Sequence, residues 1–256
     1  MSAAGLAEAA RRMHERGLDE RAIAVFSDYY HQLELGAQGT IPEDSIEPLV
    51  DLTRLDGVGA TEAERAQALG QVVVIKLNGG LGTSMGLAGA KSALSVRDGL
   101  TFLDVIARQV LALRAQYAAP LPVIFMNSFR THEETEAILA AYPDLPVRGL
   151  PLGFLQSAEP KLRVDDLSPV DWPANPELEW CPPGHGDVYL SLARTGLLDA
   201  LRGMGIRYAF LSNADSLGAT CVPDIAAWLL REQVPYLAEV CTRTHNDRKG
   251  GHLARR

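Results

Sequence analysis

Residues 71–92 read QVVVIKLNGGLGTSMGLAGAKS. The first seven residues form an apolar run rich in β-branched side chains, which is typical of a strand buried on both faces of a sheet. Five of the 23 glycines in the chain then fall within eleven residues: Gly79, Gly80, Gly82, Gly86 and Gly89. Because glycine has no side chain to obstruct another group, this stretch predicts a buried strand that ends in a loop of accessible backbone.

A loop of this composition, followed by Lys91, suits a triphosphate. Backbone N–H groups can approach phosphate oxygens closely, and a lysine neutralises their charge. The spacing excludes two common motifs. The segment 80–86 has one residue too many for the dinucleotide-binding pattern G-x-G-x-x-G, and Ala90 separates Gly89 from Lys91, where a Walker A loop has no intervening residue. A tight turn without a ligand would explain one or two glycines but not five and a lysine.

Strands and helices are predicted to alternate around this loop. Short apolar runs indicate strands at 71–77, 121–126, 208–211 and 236–240. Apolar residues at intervals of three and four indicate helices at 60–69, 101–113, 131–140 and 222–231, and two more within 3–35, separated at Gly17. Thr131 and Glu134 have the spacing of a capping box. This alternation predicts an α/β fold with a doubly wound, mostly parallel, Rossmann-like sheet. We expect an N-terminal helical segment at 1–70 and an α/β domain at 71–256.

The composition excludes several classes of protein. Lys and Arg number 24 against 32 Asp and Glu, so the net charge is −8 and the pI is about 5.3, which argues against a nucleic-acid partner. No run approaches the roughly 20 apolar residues that span a bilayer, so we expect no membrane association. The three cysteines, Cys181, Cys221 and Cys241, fit neither a disulfide framework nor a CxxC metal site. A reducing, cytoplasmic setting is expected.

Six motifs in order carry a family resemblance. They are KLNGGLGTSMGLAGAKS at 76–92, MNSF at 126–129 with Thr131 and His132, FLQS at 154–157, WCPPGHGD at 180–187, LSNAD at 211–215 with LGA at 217–219, and KGG at 249–251. Over about residues 20–256 they closely resemble the signature of UTP:glucose-1-phosphate uridylyltransferases, also called UDP-glucose pyrophosphorylases. The resemblance implies that residues 71–256 belong to a nucleotidyltransferase catalytic domain. It also implies that UTP and glucose 1-phosphate are the substrates and that Mg²⁺ is required.

The resemblance also assigns roles to residues of this sequence. Nucleotide binding is implied for Leu77, Asn78, Gly79, Gly80, Lys91, Gln156, Gly184, Asn213, Ala214 and Asp215. Substrate binding is implied for Gly79, Gly80, His185 and Lys249. Lys91 is the implied catalytic residue, and Asp215 the implied Mg²⁺ ligand. The chemistry fits these roles, because the Gln156 amide offers donors and an acceptor to uracil, and Mg²⁺ prefers one or two carboxylates beside phosphate oxygens.

Two departures from the family pattern stand out. Ala90 occupies a position where the family has proline. The family also continues beyond the KGG motif into a second catalytic lysine and a left-handed β-helix domain, so we expect this chain to be an amino-terminal portion of such an enzyme. The alternatives are a uridylyltransferase for another sugar 1-phosphate, a non-catalytic module that binds a uridine nucleotide, and a P-loop-type phosphohydrolase. The sequence predicts no particular oligomeric state.

Overall fold

A computed structural model of the chain describes residues 2–37, 39–50, 52–81, 89–242, 244–245 and 253–256. Its helices are α1 (Ser2–Glu15), α2 (Glu20–Glu34), α3 (Glu62–Leu69), α4 (Phe102–Tyr117), α5 (His132–Leu139), α6 (Asp187–Arg194), α7 (Leu197–Gly203) and α8 (Pro223–Glu232). Its strands are β1 (Glu47–Pro48), β2 (Val72–Asn78), β3 (Ser95–Arg97), β4 (Leu100–Thr101), β5 (Val123–Asn127), β6 (Gly153–Leu155), β7 (Glu159–Pro160), β8 (Trp180–Cys181), β9 (Tyr208–Asn213) and β10 (Ala254–Arg255).

Four strands form the central sheet in the order β6-β5-β2-β9, and all three pairings are parallel. The predicted α/β fold with a parallel sheet is therefore confirmed. Strand β2 lies inside the sheet, with Ile75 level with Ile124 on one side and with Leu211 on the other. The chain moves from β2 to β5 and β6 in one direction, whereas β9 lies on the opposite side of β2. A crevice for ligands is expected where the strand order reverses in this way.

The side chains of β2 alternate between two hydrophobic clusters, as a strand buried on both faces requires. Val72 and Val74 pack with buried residues of α3, α4 and α8. Val73 and Ile75 pack on the opposite face with buried residues of α6 and α7. The predicted burial of the run at 71–77 on both faces is thus confirmed, and β2 is held from both sides before it reaches the glycine loop.

The two N-terminal helices form a third cluster. Gly17 lies between α1 and α2 with a φ of +75°, a left-handed conformation that glycine adopts readily, so the predicted separation of the two helices is confirmed. Met13, Phe26 and Tyr30 pack with Ala158, which precedes β7, and with Trp180, which begins β8. The helices therefore lie directly against the segments that carry the FLQS and PPGHGD motifs.

The capping box predicted at Thr131 is wrong. Thr131 lies at the start of α5 but makes no side-chain cap. Its Oγ1 instead donates to the Asn78 carbonyl at 2.8 Å, and the Glu134 carboxylate accepts from the Ala90 N–H at 2.8 Å. Both side chains thus bind the neighbouring glycine loop and its strand, because these buried tertiary partners replace the local ones that the spacing suggested.

The strand predicted at 236–240 is also wrong. These residues have no strand assignment, and Tyr236, Leu237 and Val240 are exposed. In the described part of the chain the sheet ends at β9, and the segment does not pair with it. An apolar run becomes a strand only where a partner supplies the ladder hydrogen bonds, which a sequence pattern does not reveal.

Truncating the centre of β2 should destabilise the whole fold. Ile75 is fully buried, so Ile75→Ala should lower the free energy of unfolding by about 2–5 kcal/mol through lost contacts and a residual cavity. Ile41 is 65% exposed, and Ile41→Ala should change it by less than about 0.5 kcal/mol. Urea unfolding of the two variants measures both values, and equal losses would contradict the placement of β2.

Candidate functional site

The carboxyl ends of three neighbouring strands meet at one edge of the sheet, and each strand ends in an asparagine. Asn78 ends β2, Asn127 ends β5 and Asn213 ends β9. Asn78 is paired with Asn127, and Leu77 with Asn213, so the three ends are level. This is the edge at which the strand order reverses, and the glycine loop begins here.

The glycine loop is closed at its foot. Leu81 and Ala90 form an antiparallel β-bridge, and the Lys91 N–H donates to the Gly80 carbonyl at 3.3 Å. Residues 82–88, including Gly82 and Gly86, lie outside the described part of the chain. Lys91 therefore stands beside Gly80 although eleven positions separate them in the sequence.

Two glycines of the loop are needed by the protein's own packing. A Cβ atom on Gly79 would overlap the side-chain amide of Gln156. A Cβ atom on Gly89 would lie 2.6 Å from Glu134 Oε2. Around Gly80, by contrast, no described atom outside its chain neighbours lies within 4 Å of the position of a Cβ atom. The backbone of Gly80 is thus more accessible to a ligand than the backbone of the adjacent Gly79.

The side chain of Asn78 is committed to a buried network. Its Nδ2 donates to Asn127 Oδ1 at 2.7 Å and to Thr135 Oγ1 at 2.8 Å, and its Oδ1 accepts from Ser92 Oγ at 2.5 Å. Both amide donors and the amide acceptor are therefore used within the protein. Asn78 positions the foot of the loop, and only its backbone could face a ligand.

Gln156 lies at the same edge, and 6% of its surface is exposed. Its backbone N–H donates to the Asn127 carbonyl at 2.9 Å, and its amide lies against Gly79. The next N–H, of Ser157, donates to Asp187 Oδ2 at 2.6 Å, and Ser191 Oγ donates to the same oxygen at 2.7 Å. Asp187, the last residue of PPGHGD, thus ties the Gln156 segment to the start of α6.

The PPGHGD loop leads into that helix. Gly184 has a φ of +111°, a conformation that strains any other residue. His185 is exposed on the loop, and its carbonyl accepts from the Val188 N–H at 3.2 Å. The structure therefore leaves the His185 side chain accessible.

Opposite charges face each other beside the loop. Lys91 Nζ lies 3.7 Å from Asp215 Oδ2, and both side chains are partly exposed. The Ala214 N–H donates to the Leu77 carbonyl at 3.0 Å, which fixes the turn after β9 against the end of β2. A pair this exposed stabilises the fold little, so both groups remain available to a ligand. Lys249 lies outside the described residues.

The family profile described as UTP--glucose-1-phosphate uridylyltransferase matches residues 23–256. The chain belongs to this family. It is 41% identical over 213 residues to the UTP--glucose-1-phosphate uridylyltransferase of Solanum tuberosum, with 83% of this chain and 44% of that protein covered. It is 38% identical to the Saccharomyces cerevisiae protein of the same name, with 97% of this chain and 49% of that protein covered.

Solved structures agree. A UDP-glucose phosphorylase of Trypanosoma brucei superimposes with a TM-score of 0.91 at 43% identity, over 98% of this chain and 54% of that one. A variant of the Leishmania major UDP-glucose pyrophosphorylase, in complex with UDP-glucose, gives a TM-score of 0.89 at 42% identity, over 98% and 52%. The chain spans about half the length of the uridylyltransferase relatives that it matches.

Lys76 is a site residue that the sequence analysis missed. It is 2% exposed, and its Nζ donates to Ser212 Oγ at 2.8 Å and to the Ala219 carbonyl at 2.9 Å. Burial lowers the pKa of Lys76 to about 8. In this member of the uridylyltransferase family, the lysine thus links β2 to both ends of the turn that carries Asp215. The signal in the sequence is a lysine that follows four apolar residues without leaving the strand.

A second unusual group lies just beyond Gln156. Burial, reinforced by the charge of Asp187, raises the pKa of Glu159 to about 7.

Among the described residues no group of three or more His, Cys, Asp or Glu side chains could hold a metal ion. Asp215 therefore belongs to no such group among these residues. None of the described helices combines the length and the apolar character that crossing a membrane requires.

Substitutions at the two adjacent glycines should separate packing from ligand contact. Gly79→Ala should displace the Gln156 side chain, which lowers the melting temperature of the free protein and weakens binding of UTP, the ligand expected from the sequence. Gly80→Ala should leave the melting temperature unchanged, because its Cβ meets no described protein atom, and should weaken UTP binding by obstructing the phosphates. Thermal unfolding and calorimetric titration with UTP check both effects. Undiminished UTP affinity in Gly80→Ala would contradict a ligand at this backbone.

Replacing Glu159 should change how stability depends on pH. A carboxyl whose pKa rises from 4.5 to about 7 on folding stabilises the fold fully below pH 4.5, and that contribution is lost as the pH rises through 7. Glu159→Gln should therefore be more stable than the parent at pH 8, by about 2 kcal/mol after solvent screening, and nearly equal to it at pH 4.5. Urea unfolding at both pH values measures this. Glu133→Gln, at an exposed position of α5, is the control, and a gain independent of pH would refute the assignment.

Proposed function

We propose that this chain binds UTP and glucose 1-phosphate and acts in their conversion to UDP-glucose and pyrophosphate. One observation carries the proposal. The closed foot of the glycine loop, the Lys91–Asp215 pair and the buried Gln156 amide all lie at the single sheet edge where the strand order reverses. The groups that we propose to read the base and to bind the phosphates thus lie near one another although they come from segments that are distant in the sequence.

The Gln156 amide is the group proposed to read the uracil. Uracil presents an N3–H donor between two carbonyl acceptors, and a primary amide offers a complementary acceptor and donor. Gln156 is buried against Gly79, so its amide is held in place before a ligand arrives. A fixed amide favours affinity because little side-chain entropy is lost on binding. The loop at Gly184 is proposed to lie against the nucleotide as well.

The backbone at Leu77–Gly80 and the Lys91 ammonium are proposed to hold the phosphates. An oxygen of the sugar phosphate attacks the α-phosphorus of UTP and forms a new P–O bond. The bond between the α-phosphorus and the oxygen that bridges it to the β-phosphorus breaks, and its electron pair leaves with pyrophosphate. Such a transfer depends on positioning and charge neutralisation rather than on a covalent nucleophile. Lys91 supplies charge beside Gly80, and exposed His185 is proposed to contact the sugar phosphate. A substrate contact by Lys249 stays a prediction.

Asp215 is proposed to bind Mg²⁺, with Asn213 and Ala214 as the nucleotide-facing backbone beside it. A partly exposed carboxylate beside a phosphate-binding loop is a suitable ligand for Mg²⁺, which prefers oxygen ligands. When bound, the ion would neutralise charge that develops on the phosphates. Asp215 would hold the ion, and Lys91, whose Nζ lies 3.7 Å from Asp215 Oδ2, would then be free to contact a phosphate oxygen.

Glucose is the proposed sugar because a relative at 42% identity was solved with UDP-glucose. Another sugar 1-phosphate is the first alternative. A non-catalytic module that binds a uridine nucleotide is the second, and it gives UTP binding without turnover. A P-loop-type hydrolase would release orthophosphate instead, and its motif is interrupted at Ala90.

Product analysis with UTP, Mg²⁺ and glucose 1-phosphate tests the proposal. We expect pyrophosphate and UDP-glucose, and less product with galactose 1-phosphate or N-acetylglucosamine 1-phosphate. Lys91→Ala should lower turnover by about a hundredfold or more, the range seen when one group that stabilises transition-state charge is removed. Lys161→Ala, at an exposed lysine, should retain parental turnover.

Near-normal activity in Lys91→Ala would contradict the proposed role of Lys91 in the reaction. Orthophosphate as the product would favour the hydrolase. UTP binding without pyrophosphate from any sugar phosphate would favour the non-catalytic module.

A further inference from the structure

Arg16 contacts two aromatic rings in segments that adjoin the candidate site. It follows α1 directly, and its Cζ lies 4.9 Å from the ring centre of Phe129 and 4.6 Å from that of Trp180. Its guanidinium also makes two contacts with the Glu177 carboxylate, at 3.3 Å and 2.9 Å. One side chain of the N-terminal helical segment thus connects three residues that are more than 110 positions away.

The two rings belong to the segments that carry the ligand-facing groups. Phe129 lies two positions after Asn127, whose carbonyl holds the Gln156 N–H at 2.9 Å. Trp180 begins β8, which pairs with β7 next to the Gln156 segment and leads into the loop of His185. Trp180 is 8% exposed. Arg16 therefore links the segment after β5, to which Gln156 is hydrogen-bonded, with the segment that leads into the His185 loop.

The core of the N-terminal helices reaches the same place. Met13 and Phe26 share a buried cluster with Ala158, which lies two positions after Gln156, and with Trp180. The Asp187 contact with the Ser157 N–H joins the two segments directly. Arg16 and this cluster provide further contacts to both. The Gln156 segment and the PPGHGD loop are thus connected by two separate sets of contacts.

We infer that Arg16 is a positioning residue, which sets the separation of the Gln156 segment and the His185 loop without touching a substrate. The inference rests on the proposed function for its effect on UTP, but not for its effect on the two segments. A guanidinium over the faces of two aromatic rings is attracted electrostatically to both. Its planar shape fixes the spacing of the rings in a way that a flexible apolar side chain does not.

Arg130 is a partial counterpart and shows what is particular to Arg16. Its Cζ lies 5.4 Å from the Phe129 ring centre, and it donates to the Glu177 carbonyl. It thus supports Phe129 and the segment of Glu177. Arg16 joins those same groups to the ring of Trp180 and to the end of α1.

The test compares Arg16→Met with Arg11→Met. Arg11 is on the same helix and pairs with Glu8 and Glu15, but it is 54% exposed and lies in neither ring contact. Methionine keeps apolar bulk at position 16 and removes the charge and the planar group. Hydrogen exchange with mass spectrometry should show faster exchange at 154–159 and 180–187 in Arg16→Met, with 123–127 unchanged. Arg11→Met should match the parent in all three regions.

UTP affinity gives the second measurement. Arg16→Met should bind UTP about fivefold to tenfold more weakly by calorimetry, a loss of about 1–1.4 kcal/mol. Arg16→Lys, which keeps the charge, should recover part of the affinity and of the exchange protection. Thermal unfolding of each variant shows whether the fold as a whole is retained.

Unchanged exchange at both segments in Arg16→Met overturns the inference, and so does protection lost equally across the molecule. Unchanged UTP affinity together with faster exchange overturns the role of Arg16 in binding and leaves the proposed function intact. If the parent chain itself binds no UTP, the proposed function fails, and the exchange data still decide whether Arg16 positions the two segments.

Discussion

The buried amide of Asn78 is the constraint on which the site depends. An amide group left without a partner in the interior costs about 1–3 kcal/mol, so all the partners of Asn78 must be in place together. They come from three directions: Ser92 from the foot of the glycine loop, Asn127 from the end of β5, and Thr135 from α5. Satisfying one side chain thus fixes the relative positions of a loop, a strand end and a helix, and Lys91 is adjacent to one of the partners.

The charges near the candidate site bear on whether an acidic chain could hold the triphosphate proposed as its ligand. The net charge of −8 opposes an anion at long range, but salt screens charges beyond about 8–10 Å. Within that distance the charges of nearby groups determine whether an anion is attracted. Lys91 stands at the foot of the loop, and Lys76 lies buried beneath it, with its ammonium bound to Ser212 and the Ala219 carbonyl. Asp215 balances this positive charge in the free protein.

The sequence predicted the parts of this structure that depend on local pattern. The β-branched run at 71–77 became the buried strand β2, and Gly17 separated the first two helices. Patterns failed where tertiary partners decide. Thr131 and Glu134 have a capping spacing but bind the glycine loop, and the run at 236–240 does not pair with the sheet. The roles of Lys76 and Arg16 were not predictable from spacing, because their partners lie more than 110 positions away.

The pairing of β2 with β9 also determines when the site can form during folding. Lys76 and Ser212, which this pairing places together, are separated by 136 residues. Contacts between such distant segments form slowly, because the entropy of closing a long loop is lost before the contact compensates for it. The helices and the β2–β5 pair can form earlier, from segments nearer in the chain. The edge that brings Lys91 to Asp215 is therefore a late product of folding, and a growing chain has no complete site until β9 has been synthesised and has docked.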